Sequence, residues 1–405
     1  MMHIARRMSS VARRPETFLS ESMLSLGTRS IYTDEHDLFR RSVRKFWTDQ
    51  VQPQHKQWEA DGQVSREIWR EAGKQSLLGL TVPAAYGGPE LDVLFASITW
   101  QEQHYSGCTG PGFALHSEIV APYLMHYGSE EQKKAFLPRM VSGELITAIA
   151  MTEPAAGSDL QGMKTTARES SGGDLVLNGS KTFITNGAMC DLVIVCARTD
   201  PAAKAAKGIS LLLVETGMAG FKKGRRLDKI GLKAQDTSEL YFTDVRVPKT
   251  HVLGRLNDGF PMLMKELPQE RLMIADMAVA AAEALFEATR TWCKTRVAFG
   301  QPLISKQVVA HKLANMKMAT AQTRLFVDKC IELHAQRALD APTACMAKIM
   351  ATELQNRIAD DAVQLHGGTG FMADTDVGRG FVDARVQRIY GGSNEVLTDV
   401  VARTL

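Results

Sequence analysis

The chain has 405 residues, of which 44% are hydrophobic and 23% charged. That composition supports a packed core and excludes wholesale disorder; at roughly 150 residues per domain, the length suggests two or three domains or one large composite. Lys and Arg number 48 against 45 Asp and Glu, a net charge of +3, too even a balance for nucleic acid as the main partner.

The N-terminal stretch Met1–Arg14 carries Arg6, Arg7, Arg13 and Arg14 with Ser9 and Ser10 and no acid. It reads as a mitochondrial transit peptide, with a short basic tail as the competing reading, and residues 1–29 are set apart from the first domain. The pattern from 30 to 145 is mostly helical. Phe39, Val43, Phe46 and Trp47 share one helical face behind Asp34 as a cap, and a second helix covers Arg66–Gln75. Ser129 with Glu130 and Glu131 opens another helix.

Short strands dominate from 146 to 258. They are expected at Ile146–Thr152, Asp174–Leu177, Lys181–Thr185, Leu192–Cys196, Ile209–Val214, Glu239–Phe242 and Val245–Val247. Turns such as Asn178-Gly179 and Asn186-Gly187 separate them, which suggests an antiparallel sheet or barrel. Lys222–Arg226 reads as a solvated strand edge. Residues 259–405 return to long helices, at Leu272–Arg290, Val308–Ala335 and Thr343–Leu365. The fold class is therefore α+β: a helical domain, a middle β domain and a C-terminal helical domain resembling a four-helix bundle. The order is not βαβ alternation, so the fingerprint-like Gly368–Ala373 is not a Rossmann turn. The longest apolar run, Leu272–Ala282 broken only by Asp276, is shorter than the ~20 residues of a membrane-spanning helix. The six cysteines show no Cys-x-x-Cys pair, so reduced thiols and no metal site are expected.

Glycine-rich polar turns beside apolar strands are the candidate binding elements. Met151–Asp159 follows a strand directly; its small residues admit close backbone approach, and Thr152 and Ser158 supply hydroxyls. Phe183 and Thr185 lie on one strand face, where a ring and a hydroxyl can cover a flat cofactor. Glu270 lies at the mouth of a Met-rich apolar helix, where desolvation would raise its pKa toward neutrality and make it a general base. A first-turn helical Glu beside Pro268, favoured by the helix dipole, is the plainer alternative.

Met151-Thr-Glu-Pro-Ala-Ala-Gly-Ser-Asp159, Phe183-Ile-Thr185-Asn186, Arg296-Val-Ala-Phe299-Gly300 with Gln307, Gln364-Leu-His-Gly-Gly368 and Tyr390-Gly-Gly-Ser-Asn-Glu395 together resemble the acyl-CoA dehydrogenases. The resemblance runs from about Ser30 to Leu405. Gly112–Ser117, Gly231–Asp236 and Lys265–Leu272 are most similar to the mitochondrial long-chain members. It implies FAD, a fatty acyl-CoA thioester, electron-transferring flavoprotein as acceptor, a homotetramer built as a dimer of dimers, and the mitochondrial matrix. By the same resemblance Ala150, Met151, Thr152, Gly157 and Ser158 contact the flavin, and Phe183, Ile184 and Thr185 flank it. Arg296, Phe299, Gln307, Gln364, Leu365, His366, Gly367 and Gly368 bind the rest of FAD, partly across a dimer interface, with Ser393, Asn394 and Glu395. Ser158, Pro268, Gln269, Arg271, Gly391 and Gly392 contact the substrate. Most members carry the catalytic Glu where this chain has Gly391; the long-chain and isovaleryl members place it on the long helix before an Arg. That position is Glu270, ahead of Arg271, which the resemblance makes the base.

Overall fold

The structure, a computed structural model, describes residues 14–203 and 205–405. The Arg-rich segment read as a transit peptide lies outside the described residues except for Arg14. From there the chain is anchored rather than loose. Met23 N–H donates to Glu287 at 2.8 Å, and the Arg29 guanidinium forms a buried pair with Asp328.

Helices α1 (Asp34–Phe46), α2 (Gln52–Asp61), α3 (Arg66–Lys74), α4 (Val93–Tyr105), α5 (Ala121–Tyr127) and α6 (Glu130–Val141) form the first layer. Thr33, not Asp34, caps α1 in a capping box with His36, and Asp34 joins Glu35 and Asp37 in the acidic first turn. Two stretches are wound as π-helix, Trp47–Val51 between α1 and α2 and Leu115–Val120 leading into α5.

The middle layer is an eight-stranded sheet: β1 (Thr147–Ala150), β2 (Thr166–Glu169), β3 (Leu175–Thr185), β4 (Leu192–Arg198), β5 (Ile209–Glu215), β6 (Phe221–Arg226), β7 (Thr237–Val247) and β8 (Val252–Leu253). The pairings are mainly antiparallel, in the order β6-β7-β3-β2-β4-β5-β8, with β1 parallel beside β4. Lys222–Arg226 lies on β6 at the sheet edge, as its composition suggests. Asn178-Gly179 is not a hairpin turn. It sits inside β3, where the register slips between Leu177 and Gly179. A Cβ on Gly179, at φ +151°, would stand 2.3 Å from Thr165 Oγ1, so glycine serves a close strand approach here. Likewise the two strands expected at Glu239–Val247 are one strand, β7.

The third layer comprises α7 (Gly259–Thr295), α8 (Gln307–Ala335), α9 (Ala341–His366), α10 (Asp376–Gln387) and α11 (Asn394–Ala402), with a short hairpin of β9 (Val297–Ala298) and β10 (Gln301–Pro302) after α7. Helix α7 starts well before the apolar run, so Pro268 lies inside it and Glu270 is far from its first turn. The helix-dipole account of Glu270 therefore fails.

Helix α7 buries Glu266, Glu270, Asp276, Glu283 and Glu287. Arg324 of α8 holds two of them, forking onto Glu283 at 2.9 and 2.8 Å and pairing with Asp276. Gln101 of α4 donates to Asp276 at 2.8 Å and Tyr105 to Glu283 at 2.7 Å, tying the first layer to the third. Removing one partner of such a network strands the other charges in low dielectric. Arg324→Leu is therefore expected to cost about 3–5 kcal/mol, read as a lower midpoint in denaturant unfolding; an unchanged midpoint would show the network contributes little.

Candidate active site

Glu270 is 4% exposed and lies on the α7 face turned toward α5. Its one hydrogen bond is from the Tyr123 hydroxyl, at 3.1 Å. The other buried acids of α7 are better served. Glu266 accepts from His126 and Tyr127, Asp276 and Glu283 face Arg324, and Glu287 faces Arg290. Burial pushes Glu270 up to about 7, the Tyr123 hydrogen bond opposes that rise, nearby Glu266 adds to it and Arg271 opposes it. Burial also acts on Glu266, yet the His126 and Tyr127 hydrogen bonds leave it below the usual carboxylate range. Of these acids Glu270 alone has neither a cationic partner nor a second hydrogen bond, and that sets it near neutrality, where a general base works best.

Beside Glu270, the Arg271 guanidinium is turned inward. Its Nε donates to the Gly391 carbonyl at 3.3 Å and its Nη1 to Cys345 Sγ at 3.3 Å. Lys348 of α9, wholly buried, donates to the Gly392 carbonyl at 3.0 Å and to Asn394 at 2.8 Å. Burial, and then the neighbouring Arg271, bring this lysine down to about 8. Two cations thus hold the Gly391-Gly392 turn by its carbonyls. Gly391 has φ +66°, and a Cβ there would meet Ile274 Cδ1 at 2.4 Å. Ile274 lies one helical turn beyond Glu270, so it fills the space a side chain on residue 391 would enter. Pro268 and Gln269 are half-buried on α7, and Gln269 donates to the Glu118 carbonyl at 2.9 Å. Tyr123, Cys345, Lys348 and Ile274 carry no local sequence signal; only tertiary packing reveals them.

The turn after β1 is supported from beneath. The buried Lys181 donates to the Met151 carbonyl and to Glu153, each at 2.9 Å. Ala150 is buried at the strand end, Met151 and Thr152 are half-buried, and Gly157 and Ser158 are exposed. Phe183 is 67% exposed with φ +59°, at the second register slip of β3. Ile184 turns into the sheet core, so only its backbone faces outward beside Thr185.

A second group lies elsewhere. Arg296 sits over Trp292, which stacks on His366 with centroids 5.0 Å apart, so the β9–β10 hairpin meets the Gln364–Gly368 end of α9. Leu365 is half-buried, and Gln364 and Gln307 are exposed, the latter at the start of α8. Phe299 is 94% exposed with φ +54°. Arg296 follows Glu270 along α7 by 26 residues, so they are roughly 40 Å apart at 1.5 Å per residue. Within one chain the predicted cofactor residues therefore do not converge. Ser393 caps α11, Asn394 is buried against Lys348, and Glu395 is exposed in the first turn.

Each of the two groups fits part of a large flat cofactor. Two bulky rings stand exposed in left-handed backbone, a costly arrangement for a side-chain-bearing residue. A Cβ on Gly157, Gly367 or Gly368 would meet nothing within 4 Å, which leaves those backbones open to approach. Among the described residues no group of acids, histidines and cysteines could hold a metal ion, and no helix is long and apolar enough to cross a membrane.

The chain is similar to known proteins over nearly its whole length. Family models for the acyl-CoA dehydrogenase N-terminal, middle and C-terminal domains match residues 33–144, 148–245 and 257–405. The long-chain specific acyl-CoA dehydrogenase, mitochondrial, of Sus scrofa is 54% identical over 97% of this chain and 91% of its own length. Isovaleryl-CoA dehydrogenase, mitochondrial, of Pongo abelii is 34% identical over 92% of this chain and 88% of its own. The crystal structure of acyl-CoA dehydrogenase from Geobacillus kaustophilus superposes with a TM-score of 0.91 at 43% identity, covering 92% of this chain and 98% of that one.

The Tyr123 hydrogen bond favours the charged form of Glu270, so its loss must raise the pKa. Tyr123→Phe is expected to move the titration midpoint of the Glu270 carboxyl upward by roughly 0.5–1 unit. Infrared difference spectra, referenced to Glu270→Gln, would follow its C=O stretch; a midpoint that stays put would show that the hydroxyl does not tune the base.

Proposed function

The chain belongs to the acyl-CoA dehydrogenase family, and from that membership we propose that it oxidises long-chain fatty acyl-CoA thioesters to trans-2-enoyl-CoA in mitochondrial β-oxidation, with FAD as cofactor and Glu270 as base. The observation that carries the chemistry is the single buried acid of α7 left with neither a cationic partner nor a second hydrogen bond, beside a turn whose residue 391 has no side chain. The identity of 54% to a long-chain enzyme, against 34% to an isovaleryl one, favours the long-chain substrate. Proteins bearing the mitochondrial name are the basis for the matrix as location.

Residues 150–152, 157, 158, 183–185 and 393–395 would hold FAD in one chain, and Arg296, Phe299, Gln307 and residues 364–368 would reach it from a second. That division supports the dimer unit of a homotetramer. FAD, when bound, supplies an acceptor for the hydride that leaves the β-carbon. Glu270, ionised once the pH passes its value of about 7, takes the α-proton as the other half of the same oxidation. The Tyr123 hydroxyl holds the carboxylate and steadies its charge before the proton arrives. Charge developing on the thioester oxygen needs a donor fixed in place; the N–H groups of the turn at Gly391, clamped through their carbonyls by Arg271 and Lys348, are the candidates. Ser158, exposed, and Arg271, buried, would contact the substrate. Electron-transferring flavoprotein is the proposed redox partner.

Anaerobic mixing with palmitoyl-, octanoyl- and isovaleryl-CoA, followed at the visible flavin band, tests the assignment. Fastest bleaching with the long chain is expected; bleaching by isovaleryl-CoA alone would overturn the substrate, and no bleaching by any thioester would overturn the activity. Glu270→Gln keeps the side-chain shape and removes its basicity. It should retain FAD while losing at least ~10²–10⁴-fold in kcat, and near-normal turnover would remove Glu270 from the mechanism.

A further inference from the structure

Lys348 is wholly buried and Arg271 is 9% exposed, yet among the described residues neither cation has a carboxylate within 4 Å. Buried lysines are normally paired with an acid. The other wholly buried lysine, Lys181, is: its Nζ lies 2.9 Å from Glu153. Taking a cation out of water is costly without such a partner, and a second cation close by makes it more so. A neutral side chain would pack at less cost, so the charge of Lys348 is the feature to explain.

The partners of Lys348 all lie on one loop. Its Nζ donates to the Gly392 carbonyl at 3.0 Å and to Asn394 Oδ1 at 2.8 Å. The Asn394 amide donates in turn to Thr352 at 3.0 Å and to Glu353 at 2.8 Å, and Arg388 Nε reaches the same Glu353 at 2.8 Å. The Asn394 N–H closes on the Arg388 carbonyl at 3.1 Å. Both ends of the loop from 388 to 394 are thereby tied to α9, with Lys348 at the two glycines. Gly391 and Gly392 have φ +66° and +95°. Glycine restrains its own backbone least, so this turn takes its shape from anchors outside it, and Arg271 and Lys348 are those anchors. Hydrogen bonds in series polarise one another. A cation on a carbonyl draws electron density across that peptide and strengthens its N–H as a donor. Arg271, on the Gly391 carbonyl, acts in this way on the Gly392 N–H, and Lys348, on the Gly392 carbonyl, acts on the Ser393 N–H.

We propose that Lys348 is a positioning residue for the oxidation, whose ammonium charge holds and polarises the Gly391-Gly392 turn so that the turn stabilises negative charge developing on the thioester oxygen. The inference rests on the acyl-CoA reading above and adds to it a requirement for the charge of a residue that acts through the turn. With no carboxylate on either cation, the positive charge is left to answer the negative charge that the reaction creates. Four charged or titratable groups face Lys348: Arg271 from α7, Cys345 and Glu353 from α9 and Glu395 from α11. Burial, and then Arg271, bring the lysine down to about 8 against the opposing pull of Glu395, Glu353 and Cys345. It is charged below that value and neutral above it, whereas Glu270 is ionised above about 7. Base and turn are therefore in their working states together between these two values.

The test uses the FAD-loaded Glu270→Gln enzyme, in which palmitoyl-CoA stays unoxidised, with carbon-13 at the thioester carbonyl. Infrared difference spectra against unlabelled substrate isolate the C=O stretch, which reports the polarisation. The stretch should move to higher wavenumber as the pH rises through about 8 and the ammonium is lost. That shift should vanish in the Glu270→Gln/Lys348→Met double variant. A stretch that stays put across this range would overturn the proposal without any change at residue 348, and so would a shift that survives Lys348→Met. With Glu270 intact, Lys348→Met should retain FAD and KM, lower kcat at neutral pH by at least ~10-fold, against the roughly 10²–10³-fold of deleting an oxyanion donor itself, and abolish the alkaline fall of kcat. Unchanged kcat would also overturn it. A stationary stretch with normal flavin bleaching removes the proposal alone; failure of every thioester to bleach the unaltered enzyme removes the acyl-CoA reading with it.

Discussion

A carboxylate taken out of water is costly unless something replaces its solvation, and α7 takes in five of them. That cost organises the molecule. Arg324 comes in from α8 and the Met23 N–H from the N-terminal segment, while Gln101, Tyr105, His126 and Tyr127 come in from the first layer. Each is placed where an acid of α7 requires it, so the helical layers are joined through polar groups as well as apolar packing. Glu270 is the acid for which this compensation is withheld. Its raised pKa is the remainder of a sum in which the neighbouring terms have been cancelled, and a carboxyl poised near neutrality is what remains.

Much of the fold was legible in the sequence. The change from 3.6-residue to two-residue periodicity and back marks the three layers, and Ser129 with its acidic first turn opens α6 where expected. The misreadings have physical causes. Asn178-Gly179 has turn chemistry, but the glycine answers to Thr165 across the sheet, a contact that no local pattern records. Glu239–Phe242 and Val245–Val247 look like two strands because Thr243 and Asp244 break the apolar pattern, yet the pairing with β3 and β6 carries one strand, β7, through them. In the active site, Glu270 and the glycine turns could be singled out because their residue types are unusual in their settings. Tyr123 and Lys348 could not, since a buried tyrosine and a helical lysine look alike whether or not they hold Glu270 or the Gly391-Gly392 turn.

The predicted cofactor residues illustrate a different limit. Their order along the chain gives no hint that they lie in two groups at opposite ends of a long helix. One group surrounds the turn after β1 and the exposed ring of Phe183; the other is built on the Trp292–His366 stack and the exposed ring of Phe299. Two aromatic rings held outward in strained backbone make poor sense for an isolated chain, and good sense for a surface completed by a bound group and another copy.

The π-helical stretch at Leu115–Val120 holds one residue more than ordinary winding would. Loss of a single residue there would restore α winding and rotate the chain on its N-terminal side by about 100° relative to α5. Glu118 would turn away from Trp47 and Trp100 while Tyr123 stayed on Glu270. The two carboxyls, though near neighbours, therefore sit on opposite sides of a mechanical joint. The packing around Trp47 and Trp100 is thus separable from the hydrogen bond that Tyr123 gives Glu270, and one codon is the length of the seam between them.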